Sequence, residues 1–275
     1  MRALTTGFAV ALWLGASVSA ALAGTEAKVT VLMDRLRVAE VVEIMRTEGL
    51  DYAQTLDTDM LGGQGGPFWH EQVTRIYEPQ RMSETVREAL VEGLDEPALD
   101  AALAFFGSDT GARIVALENA ARGAMADPSI EEAARDTYTR LRNDHAPRLA
   151  LIDRFVTVND LLDRNVSGAM SSNFRFYRGM ADGGALDMSE EDMLADVWSQ
   201  EDEIRDDTEG WLYGYLLLAY EALEAGDLED YVAFSQTAPG HALNAALFAG
   251  YETMYRDISY ALGRGIALSL SGSDL

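Results

Sequence analysis

The sequence predicts an all-α protein made of two tandem related helical-bundle halves joined by a helical connection. Three observations predict it. No segment alternates apolar and polar residues with the period of two that a half-buried strand requires, whereas the apolar residues recur at helical spacing. All six prolines sit where helices should begin or break. The stretch ALAFFGSDTGARI at 102–114 returns, altered but recognisable, as YVAFSQTAPGHAL at 231–243.

Taken from the N-terminus, residues 1–23 read as a cleavable secretory signal peptide. Arg2 is its one charge, an apolar run extends from Phe8 to Ala16, and Ala21 and Ala23 flank Leu22 ahead of a cleavage site after Ala23. That run is shorter than the ~20 residues a bilayer span needs, and no later window is long and apolar enough. The expectation is a periplasmic protein with no membrane span after cleavage. The chain has no cysteine, so neither disulfides nor thiolate chemistry is available, and packing alone must hold the fold. The formal charge is −25, and loss of Arg2 with the signal makes it one unit more negative. Such a surface repels nucleic acid and anionic lipid. With 48% hydrophobic and 24% charged residues, the 275-residue chain has the composition of a folded globular protein.

Sliding the chain by 129 positions superposes Leu32, Asp34 and Arg35 on Leu161, Asp163 and Arg164, and Trp69 on Trp198. In the same register Leu99, Phe105, Gly111 and Met125 fall on Leu228, Phe234, Gly240 and Met254. Two repeats are therefore expected, 29–146 and 147–275, the second opening on the connecting helix that follows Pro147. The period is too long for a solenoid.

Each repeated stretch reads as a tight αα corner. Leu99, Leu103 and Phe106 line one face of a short helix; Ser108, or Thr237 in the second copy, caps the next; Gly111 and Gly240 let the two helices approach closely. Elsewhere, Ser129 with Glu132 and Ser189 with Asp192 suggest capping boxes. The glycine-rich segments GGQGG (62–66) and ADGGA (181–185) suggest loops, the first a flexible linker.

An aromatic-ended short helix, then Ser/Thr, a turn residue or proline, and glycine opening a long helix, resembles the Phe-Tyr-x-Ser-Pro-x-Gly motif of the domain of unknown function 2059 family. The resemblance rests on Phe105, Phe106, Ser108 and Gly111, and more loosely on Phe234, Thr237, Pro239 and Gly240. It departs from the motif at Ser235, Asp109 and Thr110. It implies an exported, all-helical bacterial protein and brings no catalytic residues.

His70 opens HEQVT, but a zinc-protease helix needs a histidine where Thr74 stands. His145 and His241 read as helix-end residues, and no catalytic triad order is present. The acid-rich segment 189–209 reads as a solvated face, and the Glu-x-x-His pairs of a diiron bundle are absent. No catalytic, cofactor or metal residues are assigned. The best remaining signal is a group of aromatics in the second half, with Tyr213, Leu216 and Leu217 standing where the first half has Glu84, Arg87 and Glu88. Either the halves pack there, or the second half binds something. The leading expectation is a non-catalytic binding or envelope-interaction protein, taking an unknown protein or small-molecule ligand. The alternative is a hydrolase with a site in the cleft between the halves, using His70 or His241. A homo-oligomer stays open.

Overall fold

A computed structural model describes residues 24–144 and 146–272. The signal-peptide reading and His145 lie outside them. The described chain is all-α. Helix α1 (24–35) and α2 (Val38–Leu61) are followed by α3 (Gly66–Ile76), α4 (Pro79–Gly93), α5 (Glu96–Phe106), α6 (Asp109–Ala124) and α7 (Pro128–Asn143). Then come α8 (Pro147–Val158), α9 (Leu161–Asp182), α10 (Glu190–Ser199), α11 (Glu201–Tyr220), α12 (Ala225–Ser235) and the long α13 (Ala238–Gly272). Every proline stands in a helix's first turn, where the missing N–H leaves no helical bond unmade.

Two local features recur along the chain. The α1–α2 and α8–α9 pairs both break at a left-handed, non-glycine residue, Arg37 (φ 50°) and Asp160 (φ 54°), 123 positions apart. The α5–α6 and α12–α13 corners lie 129 positions apart. The register therefore changes along the chain, and most of the difference falls in α11, 20 residues long where α4 has 15. The pairings of Leu32, Asp34, Arg35 and Trp69 with Leu161, Asp163, Arg164 and Trp198 are corrected accordingly. Leu32 precedes its helix break and Leu161 follows the other one. Trp69 is 4% exposed, its indole N–H donating to the Ala53 carbonyl at 3.2 Å, whereas Trp198 is 62% exposed.

The two bundles exchange their last helices. One core joins side chains of α1–α5 to Leu243, Met254, Ile258, Leu262 and Ile266 of α13. The other joins α8, α11 and α12 to Ile114, Ala121 and Tyr138 of α6 and α7. Helix α13 lies on α4 as well as on α9, and the α6–α7 pair lies on α11, so each core takes helices from both ends of the chain. This answers the question raised by Tyr213, Leu216 and Leu217: all three are buried, with Tyr138 stacked on Tyr213 at 4.7 Å. Their polar counterparts on α4 leave Glu84 and Glu88 in solvent.

The second bundle adds a close crossing of α9 and α13. A β-carbon on Gly179 would lie 2.2 Å from the Tyr260 carbonyl oxygen, and one on Gly263 would lie 2.1 Å from that of Phe176. Only glycine on both helices permits backbone contact at this spacing.

Local readings fare unequally. Ser189 caps α10 as expected, accepting from the Asp192 N–H at 3.1 Å. Ser129 does not cap α7. Asp127 does, accepting from both the N–H and the hydroxyl of Ser129 at 2.9 and 2.7 Å, because the helix begins at Pro128 and the residue before proline is already extended. Nor is GGQGG a loose linker, since the Asp57 carboxylate accepts from the Gly65 N–H at 2.8 Å and the Asp57 carbonyl from Gly63 at 2.9 Å.

Candidate functional site

The two glycine corners face one another. At the first, the Ser108 hydroxyl donates to the Phe105 carbonyl (2.6 Å) and accepts from the Gly111 N–H (3.1 Å). At the second, Thr237 does the same with Phe234 (2.7 Å) and Gly240 (3.1 Å). A β-carbon on either glycine would sit 2.2 Å from the preceding aromatic residue's carbonyl oxygen, which is why both positions are glycine. The equivalent rings Phe105 and Phe234 stack on each other with centroids 4.5 Å apart and planes 11° from parallel.

Beside this stack lies a cavity of about 390 Å³. Its walls come from both halves: the α1–α2 break at Leu36 and Val38, the α8–α9 break at Asn159 and Leu161, the facing turns of α6 and α13, and α11. The lining is mostly aliphatic and aromatic, with Trp211, Tyr215, Tyr231, Phe248 and Tyr251 prominent. The sequence-predicted motif residues Phe234 and Gly240 reach this wall; Phe105, Ser108, Gly111 and Thr237 build the corners behind it. Of the described histidines neither lines it, and both His70 and His241 are exposed.

Among the described residues the charged ones in the cavity wall are Glu118 and Arg122, which share one face of α6 with Asn119. Glu118 accepts from the Tyr220 hydroxyl at 2.5 Å, and its carbonyl accepts from Tyr215 at 3.3 Å. Burial raises its pKa to about 7, because a desolvated carboxylate is disfavoured; the Tyr220 hydrogen bond pulls the other way and only partly offsets this. Arg122 is held between the Glu48 carboxylate and the Trp211 ring, whose centroid is 4.7 Å from its guanidinium carbon. Asn119 is 6% exposed, and its amide nitrogen has no hydrogen-bond partner. A buried, unpaired donor is costly in a folded protein, by ~1–3 kcal/mol, so this one marks a place where a partner belongs. The other amides are used locally: Asn159 donates to the Phe155 carbonyl (3.0 Å) and Asn244 to that of Asn159 (2.8 Å).

Sequence reasoning missed this face of α6. A signal was there: in the 129 register Glu118, Asn119 and Arg122 answer to Leu247, Phe248 and Tyr251, a polar face in one half against an apolar one in the other.

The raised pKa has a consequence for stability. The native state holds the Glu118 proton more tightly than the unfolded chain, whose value is near 4.5. The favourable contribution is complete below pH 4.5 and is lost as pH rises through 7. Glu118→Gln, which still accepts from Tyr220, is expected to melt well above the parent protein at pH 8 and close to it at pH 4.5. Equal melting shifts at both pH values would contradict the assignment.

Among the described residues no group of acids and histidines is arranged to hold a metal ion, and no helix is long and apolar enough to cross a membrane. No curated protein and no solved structure matches the chain. A family model does, over residues 80–139, from α4 to most of α7: the family described as "Uncharacterized protein conserved in bacteria (DUF2059)". The matched segment contains the Phe105–Gly111 corner that carries the sequence resemblance and the Glu118–Arg122 face of the cavity. The segment that resembles this family, residues 80–139, contributes the charged side of the cavity.

Proposed function

We propose that this is an exported, periplasmic, non-catalytic binding protein, and that its ligand occupies the cavity between two duplicated halves. The observation that carries the reading is a largely apolar cavity of about 390 Å³ whose wall includes Asn119, a residue whose buried amide nitrogen has no hydrogen-bond partner. A volume at the lower end of the ~300–1,000 Å³ typical of small-molecule sites, apolar walls and a few convergent polar groups are what such sites have in common. Duplication is supported by the matched helix breaks, the two like-built corners and the Phe105–Phe234 stack. Export is supported by the charge, apolar run and small residues of 1–23. Binding is favoured over hydrolysis because neither described histidine lines the cavity and Glu118 has no hydroxyl or thiol nucleophile positioned by a base beside it. The tyrosine hydroxyls near Glu118 are themselves held strongly protonated by burial.

Native mass spectrometry of the protein isolated from its host tests both parts. The expected spectrum shows a chain beginning at Gly24 and carrying one retained small molecule per copy. A chain that still begins at Met1 would contradict export, and a preparation free of any bound molecule would contradict the binding role.

A further inference from the structure

The chemistry of the polar wall narrows the ligand class, on the reading that the cavity is a binding site. The unpartnered group is a donor, the Asn119 Nδ2, so the ligand must offer an acceptor. One helical turn along the same face stands the Arg122 guanidinium, and next to Asn119 stands Glu118. An ammonium head would leave the amide nitrogen unsatisfied and meet Arg122. A hydroxyl head offers one acceptor oxygen. A carboxyl head offers two, one for Asn119 and one for Glu118, while Arg122 balances its charge. The rest of the cavity, with Trp211, Leu243, Leu247 and Phe248, suits a hydrocarbon body.

We propose that the cavity takes an apolar monocarboxylic acid, its carboxyl group set against Asn119 and Glu118 and its hydrocarbon body enclosed by α11 and α13. Two carboxyl groups at hydrogen-bond distance share a proton, because both cannot be ionised at once. Glu118 is the group that keeps it. The groups around Glu118 are Tyr215 and Tyr220 from α11, Tyr231 from α12, Tyr251 from α13 and, on its own helix, Arg122, which is paired with Glu48 of α2. The tyrosines are held protonated by burial, and Glu118, raised to about 7, changes state between pH 6 and pH 8.

The test is calorimetric titration of the full chain with decanoic acid, 1-decanol and decylamine at pH 6 and pH 8. Decanoic acid is expected to bind one to one at pH 6, more tightly than the other two, and about tenfold more weakly at pH 8 as Glu118 loses its proton. Asn119→Leu, close to the native side chain in volume, is expected to weaken decanoic acid by about tenfold or more and leave decanol within threefold. Glu118→Gln is expected to remove the pH dependence while retaining binding, which serves if the leucine variant fails to fold. Tighter binding of decylamine or decanol than of decanoic acid would overturn the ligand class and leave the binding role intact. Absence of binding by all three would overturn both.

Discussion

Replacing Gly263 by valine should abolish the folded state at ordinary temperatures, or lower the melting midpoint further than any single core truncation. A β-carbon there would lie 2.1 Å from the Phe176 carbonyl oxygen, 3.0 Å from its carbon and 3.2 Å from the Met180 nitrogen. All three are main-chain atoms of α9, which cannot swing aside as a side chain can. The cost should exceed the ~1–3 kcal/mol usual for overpacking. Gly168→Ala, on the same helix as Gly179, is the control: nothing lies within 4 Å of its added carbon, and helix propensity favours alanine by ~1 kcal/mol. Thermal unfolding followed by circular dichroism should show the first variant collapsed and the second unchanged or raised. A Gly263→Val protein that melts with the parent would mean that α9 and α13 do not cross there.

Trp69→Ala should destabilise by ~3–5 kcal/mol, and Trp198→Ala by no more than ~0.5. Trp69 is buried against the Ala53 carbonyl and against α13, where a β-carbon on Gly265 would lie 3.0 Å from its ring. Trp198 stands mostly in solvent on α10. Denaturant titrations of the two variants settle the comparison. Equal losses would restore the 129-residue pairing of the two tryptophans, which the structure does not support.

That pair also shows where the sequence was legible. Helix identity was readable because proline and glycine act locally: each proline fixes a helix start, and Gly111 and Gly240 fix the corners through contacts within a few residues. The 129-residue spacing was readable near those corners for the same reason. It was misread at Trp69 because a single ungapped register cannot cross the extra residues of α11, and a residue type alone does not say which way a helix face points. The exchange of terminal helices was invisible, since α6–α7 and α13 carry apolar faces that would suit either bundle. What decides is tertiary: the apolar Tyr213, Leu216 and Leu217 on α11 have no apolar counterpart on α4, and α6 and α7 pack on α11 in the core that holds them. The Glu118 face was hidden by its ordinary composition. An acid, an amide and an arginine on one helix read as surface until both halves close over them.

The cysteine-free chain offers a direct test of that exchange. On α4, Ala89 has its β-carbon 3.1 Å from the place a β-carbon would take on Gly250 of α13. In bundles that kept their own last helices, Ala89 would face the position on α6 corresponding to Gly250, which is Ala121. Two double variants are compared under mild oxidation, Ala89→Cys with Gly250→Cys and Ala89→Cys with Ala121→Cys, reading intramolecular disulfide by non-reducing electrophoresis and peptide mass. The exchanged fold requires rapid bridging of 89 to 250 and none of 89 to 121. Bridging of 89 to 121 with none to 250 would contradict it, and with it the shared cavity.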